Sequence, residues 1–232
     1  MWICNALAGA MGSVGLHTSI VPYVTGEASA TWTNFNTIGI NSINMIKSGN
    51  VWGGRLGLGL MHPFGERLFL TGEIGGGSYG SQKQIGTNAS GNPATYNRFS
   101  IDGYDVLVGT LMVVQSIELF GHAGFMIENF RNNRWEDLAQ AIPGGFLSGS
   151  VSQHTNATQV FPEIKVGANY MLPFIAFNGQ LALTASYVHV FGANPRISEN
   201  TFASQAGIIQ NSYVSSQNPT LNSVLFGLRY YI

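Results

Sequence analysis

Val224-Leu-Phe-Gly-Leu-Arg-Tyr-Tyr-Ile232 is the stretch that decides the fold. Val224, Phe226, Leu228, Tyr230 and Ile232 share one parity, and Leu225, Gly227, Arg229 and Tyr231 share the other. A period of two describes a β-strand with one apolar face. Soluble proteins rarely end on a bare strand of this kind, because an unpaired apolar edge templates aggregation. A last strand that closes onto the first and faces lipid carries no such liability.

Seven earlier segments repeat the pattern. The first, Val21 to Trp32, puts Pro22, Val24, Gly26, Ala28, Ala30 and Trp32 on one face, with Glu27 opposite. The second puts Trp52, Leu56, Leu58 and Leu60 against Arg55, and the third puts Leu68, Leu70 and Ile74 against Glu73. Tyr104, Val106, Val108 and Met112 oppose Asp105 in the fourth; Leu119, Phe125 and Ile127 oppose His122 and Glu128 in the fifth. The sixth sets Val160, Ile164, Val166 and Tyr170 against Glu163 and Lys165. The seventh sets Leu181, Leu183, Tyr187, His189 and Phe191 against Thr184 and Ser186. In all eight segments the apolar parity holds no Asp, Glu, Lys or Arg.

Alternation alone fits a β-sandwich or a soluble barrel with the apolar face inside as well. Three observations favour apolar side out. Only 9% of the 232 residues are charged, against roughly 25% in soluble domains, too few to coat a soluble exterior. The opposite face is small and polar, as a narrow lumen requires. The aromatics also fall into two belts: Trp32, Trp52, Tyr104, Tyr187 and Phe191 at one set of strand ends, Tyr170 and Tyr230 at the other. Such girdles mark the two membrane interfaces. No apolar run approaches the ~20 residues of a membrane helix. The sequence therefore predicts an all-β protein: an eight-stranded, antiparallel, up-and-down transmembrane β-barrel. Short connections at 61–66, 113–117 and 172–179 alternate with long ones at 33–50, 80–99, 129–158 and 192–220, which predicts short periplasmic turns and long extracellular loops.

The formal charge is −1 with no basic run, which excludes a nucleic-acid track. Residues 1–8 read as the remnant of a signal peptide, with Ala6-Leu7-Ala8 fitting a small-x-small cleavage site. Residues 9–19 read as an N-terminal segment and 20–232 as the barrel. Cys4 is the single cysteine, so cleavage after Ala8 removes any disulfide or thiolate chemistry. With no further module after the last strand, peptidoglycan anchoring by this chain is not expected.

Leu119-Phe-Gly-His-Ala-Gly-Phe125, Pro162-Glu-Ile-Lys-Val-Gly-Ala-Asn-Tyr170 and Tyr187-Val-His-Val-Phe-Gly192 resemble strands of the opacity-type, OmpA-like small outer-membrane barrels. The resemblance runs from about Thr18 onward. It implies a monomer in the bacterial outer membrane, with variable surface loops that are often antigenic or adhesive, and no shared catalytic site. It implies that Val224, Phe226, Leu228, Tyr230 and Ile232 are read by the barrel-insertion machinery, although the family's final aromatic is here Ile232. Lipid, lipopolysaccharide and an extracellular or host-surface ligand of the loops are the partners implied.

Eight strands enclose an interior that side chains fill. Glu27, Arg55, Glu73, Asp105, His122, Glu128, Glu163, Lys165 and Arg229 all have inward parity. They are expected to form an ion-paired lumen cluster, since buried charges need partners. Phe69, Leu111, Phe120 and Met171 are expected to plug the periplasmic end. A narrow ion path through exchange of salt-bridge partners is the alternative. A lipid-modifying enzyme is a more distant one: His189 faces outward, but Phe191 stands where a serine would be needed, and His154 with Ser152 falls in a polar loop. No metal or cofactor site is expected; His122 lacks a second histidine at ligand spacing. Gly75-Gly-Gly-Ser-Tyr-Gly80 reads as the end of a strand rather than a phosphate loop. Arg131-Asn-Asn-Arg-Trp135 reads as a solvated loop near the outer rim that could touch lipopolysaccharide phosphates.

Overall fold

A computed structural model describes residues 20–33, 44–47, 51–87, 90–137, 140–142, 145–147, 150–176, 179–192, 197–204, 207–214 and 218–232. The expected signal remnant and N-terminal segment lie outside them. The described residues form β1 (Val21–Thr33), β2 (Asn44–Lys47), β3 (Val51–Pro63), β4 (Leu68–Thr87), β5 (Pro93–Val114), β6 (Ile117–Asp137) and β7 (Gln140–Ile142). These are followed by β8 (Gly145–Leu147), β9 (Ser150–Ala176), β10 (Gly179–Val190), β11 (Ile197–Ser204), β12 (Gly207–Val214) and β13 (Leu221–Tyr231).

Eight of these close into a ring in the order β1-β3-β4-β5-β6-β9-β10-β13, every neighbouring pair antiparallel. The terminal stretch closes it: Tyr230 stands opposite Val24, Leu228 opposite Gly26 and Phe226 opposite Ala28. The Ile232 amide adds a bond to the Pro22 carbonyl at 3.0 Å. Closure leaves the barrel wall with no open edge, the condition for crossing lipid on strands.

The two parities separate as the alternation requires. Trp52 (74% exposed), Tyr104 (72%), Leu58 (56%), Leu60, Val106, Val108, Phe125, Val160, Val166, Leu183 and Phe226 are exposed on the outer face. Between them Tyr23, Thr25, Glu27, Arg55, Glu73, Asp105, Lys165 and Arg229 are buried. The inside is therefore polar and charged at mid-height, and the outside is apolar.

Apolar layers lie at both ends of the lumen. At the turn end, beside the connections Phe64–Arg67 and Gln115–Ser116, Phe69, Leu111, Phe120 and Met171 pack with Tyr23, Met61, Ala182 and Tyr231. At the hairpin end, Tyr79, Phe99, Ile101, Met126, Phe130, Val188, Val190, Leu221 and Leu225 form a second plug. Two of its aromatics, Phe99 and Phe130, fall in the stretches 80–99 and 129–158 that the sequence alone reads as loops, which hides the layer from parity.

Those assignments are corrected by the structure. β4, β5, β6 and β9 run 20, 22, 21 and 27 residues, about twice the 9–11 residues that cross a bilayer. Their surplus forms paired hairpins beyond the apolar band. The Gly75–Gly80 run does not end a strand, since β4 continues to Thr87. Outside lipid both faces of a strand can be polar, so the hydrophobic alternation fades while backbone pairing continues. The connections 33–50 and 192–220 also contain strand: β2 pairs the upper end of β4, and β11 pairs β12.

Folded barrel is expected to run at a different apparent mass from boiled material in detergent gels; identical mobility would contradict a closed barrel. Leu58→Arg should lower folding stability in lipid vesicles by ~2–4 kcal/mol, the cost of a cation at mid-membrane. Equal denaturant midpoints for Leu58→Arg and wild type would remove Leu58 from a lipid-facing position.

Candidate functional site

Arg55 is the hub of the lumen. It stands directly opposite Glu27 in the β1–β3 pairing, and both point inward because they share the buried parity. One guanidinium nitrogen meets Glu27 at 3.1 Å and Glu73 at 2.7 Å. Nε donates to Asp105 at 2.8 Å, and the second terminal nitrogen also grips the Asp105 carboxylate. Such a two-pronged contact uses the planar fork that only arginine offers.

Lys165 approaches from β9. Its ammonium lies 2.8 Å from Glu27 and 3.1 Å from Glu73. Arg229 reaches Glu73 at 3.4 Å, with its guanidinium 4.3 Å from the centre of the Tyr23 ring and 5.0 Å from that of Phe120. Tyr23 donates to Glu73 at 3.1 Å, and Ser186 donates to Glu27 at 3.2 Å. His122 bonds Thr71 at 2.8 Å and stacks on Phe120. Three cations thus share three carboxylates, and the side chains of all these ion-pair partners are fully buried.

Glycines open the space this network needs. Asp105 stands opposite Gly75 on the neighbouring strand, and the Arg55 guanidinium lies across Gly75. A Cβ there would sit 2.9 Å from Arg55 Nε and closer still to the rest of the guanidinium.

Of the nine residues expected in the lumen cluster, all are buried. Glu27, Arg55, Glu73, Asp105, Lys165 and Arg229 join one ion-pair network, and His122 borders it. Glu128 and Glu163 do not join it: they lie toward the hairpin end, and among the described residues their carboxylate oxygens find no hydrogen-bond partner. Glu118 is an inward carboxylate that the sequence reading passed over. It accepts bonds from Asn169 at 2.7 Å and from the Tyr231 hydroxyl. Glu118 shares the parity of His122, but it precedes Leu119, where the apolar alternation of that segment starts, so parity alone does not single it out.

The belt residues divide by face as follows. Trp32, Trp52, Tyr104, Tyr170 and Phe191 are exposed, whereas Tyr187 and Tyr230 are half-buried. Trp32 packs against Tyr187, ring centres 6.3 Å apart. Tyr187 donates to Asn222 Oδ1 at 2.7 Å, and His189 Nδ1 bonds the same oxygen at 2.8 Å. Phe191 meets the His189 ring edge-on at 4.4 Å. The partner of His189 is therefore an amide, not a serine. His154 does not lie in a loop; it is on β9, exposed, with Nδ1 against Asn133 Oδ1. Among the described residues, no group of three His, Cys, Asp or Glu could hold a metal ion. No described helix is long and apolar enough to cross a membrane.

A closed ring with an apolar exterior and a charged, filled interior has its polarity inverted relative to a soluble barrel. The chain is a small eight-stranded β-barrel of the transmembrane type. No family model matches it, and no curated protein matches it. Solved structures similar to this barrel include Ail, the attachment invasion locus protein of Yersinia pestis, at 11% identity over 92% of this chain and 97% of that one, TM-score 0.41. OprG from Pseudomonas aeruginosa is similar at 10% identity over 93% and 97%, TM-score 0.45. AlkL, solved in lipid bilayers, is similar at 11% identity over 95% and 93%, TM-score 0.38. The assignment itself rests on the strand ring and the apolar exterior.

Arg55→Ala should lower stability by ~3–5 kcal/mol, because it leaves buried carboxylates uncompensated. Gly75→Ala should also destabilise, by crowding the guanidinium. In an Arg55→Ala background the Gly75→Ala cost should shrink, a coupling that a double-mutant cycle in denaturant unfolding measures.

Proposed function

We propose that this barrel resides in the bacterial outer membrane and acts there as a structural and surface-interaction protein, adhesin- or antigen-like, working through its outer hairpins rather than through its lumen. The observation that carries this reading is the filled interior. An ion-paired layer lies between two apolar plugs, and the extra length of β4, β5, β6 and β9 stands outside the apolar band. Sequence invested beyond the membrane serves contact with what lies there. In this reading Trp32, Trp52, Tyr104, Tyr187 and Phe191 anchor the outer interface, and Tyr170 and Tyr230 anchor the inner one.

A narrow ion path is the second reading. It is favoured by one feature: Arg55 and Lys165 both contact Glu27 and Glu73, so partners can exchange without leaving the lumen. Conduction would still require both plugs to move.

Single-channel recording in planar bilayers separates the two. The surface reading expects no steps above leak for wild type or Arg55→Ala; resolved wild-type steps would replace it with the channel. Removal of residues 197–214, the β11–β12 hairpin, should leave heat-modifiable barrel in the membrane. It should reduce adhesion of expressing cells to matrix-coated surfaces; unchanged adhesion would remove that hairpin from the contact surface.

A further inference from the structure

The lower part of β4 points its even residues outward, as Leu68, Leu70 and Ile74 show, and buries Phe69, Thr71 and Glu73. That parity reverses higher up. The register with β5 slips between Ser78 and Gly80, and Gly80 has φ of 102°, a conformation natural to glycine. Tyr79 turns into the upper plug. This is a β-bulge, which re-aims every side chain beyond it. Past it, Lys83 and Ile85 are exposed and Gln84 is buried. Simple alternation from Glu73 would have placed Lys83 inside.

The bulge brings Lys83 directly opposite Arg98 on β5, and Arg98 is exposed as well. Arg98 faces Asn133 on β6, and Arg131 is one diagonal step away, opposite Ser100. Arg131 is exposed and pairs with Asp102. Arg98 Nε donates to Ser81 at 3.2 Å. Like charges directly opposite on neighbouring strands repel, and an anion set between them would relieve part of that repulsion. Among the described residues, three cations on three successive strands face outward here beside one carboxylate. Arg134 and Trp135, from the same basic run, part company: Arg134 is buried and Trp135 is exposed.

Height completes the geometry. On β6 the unbroken outward apolar alternation ends at Ile127, Arg131 follows four residues later, and an exposed Trp135 stands beyond it. At ~3.3 Å per residue and a tilt of ~40°, Arg131 is about 10 Å above Ile127. Arg98 stands six residues above Tyr104 on β5, about 15 Å higher by the same measure. A long cationic side chain leaning toward the membrane spans the remaining gap to the headgroup layer.

We propose that Lys83, Arg98 and Arg131 form an outward-facing binding site for the phosphates of a lipid headgroup in the outer leaflet, with Lys83 and Arg98 sharing one phosphate and Arg131 taking a neighbouring one. The site rests on the membrane reading above. It needs no open lumen and no hairpin ligand.

The test uses the full barrel in nanodiscs, first shown to be folded by heat-modifiability, which checks the membrane reading separately. The probes are lipid A with its phosphates, lipid A with the phosphates removed, and inorganic phosphate alone. Wild type should retain phosphorylated lipid A about a hundredfold more tightly than Lys83→Ser/Arg98→Ser/Arg131→Ser, as loss of three surface cations implies. Arg67→Ser, in a turn at the other end, should bind as wild type does. If the triple variant does not fold, wild type in rising salt replaces it, and retention must fall steeply. Equal retention of the two lipid A forms, retention indifferent to the triple substitution or to salt, or full competition by inorganic phosphate would each overturn the proposal.

Discussion

Pairing of β1 with β13 is the constraint from which the other features follow. Until that pair forms, two strands present unpaired amides and carbonyls, and lipid offers them no partner. Once Tyr23 through Thr33 align with Tyr231 through Leu221, the wall is continuous and its two faces belong to different solvents. The outer face meets hydrocarbon and must be apolar. The inner face meets only its own side chains, within a ring of eight strands.

That narrowness makes the interior charges interdependent. Arg55 touches three carboxylates, and two of them are also held by Lys165. Arg229 adds a third cation to Glu73 and rests on aromatic faces that belong to the turn-end plug. The polar layer and the plug beneath it are therefore one packed unit. Gly75 contributes by absence, because the space a side chain would take is occupied by the guanidinium. Glu118, Asn169 and Tyr231 form a smaller polar group near the same end.

Much of this was legible from parity. The eight strands, their outward faces, the lower plug and the inward direction of Glu27, Arg55, Glu73, Asp105, Lys165 and Arg229 follow from counting in twos. The upper plug and the long hairpins were not legible, for one reason. Parity is visible only where the two faces meet different solvents, and above the membrane both meet water or protein. Phe99 and Phe130 thus read as loop residues and Tyr79 as the end of a strand, although they close the lumen. Arg131 and Arg134 read as one basic run, although they point to opposite sides.

The sequence by itself determined that this chain crosses lipid as strands, because apolar alternation over eight segments with no charge on one parity has few other physical solutions. Only the tertiary structure decided which charges meet, since partners such as Lys165 and Glu27 lie 138 positions apart in the chain. It also decided where Lys83 points. One extra residue at the Gly80 bulge reverses the parity beyond it, and no count in twos can register that step until the neighbouring strand is in place.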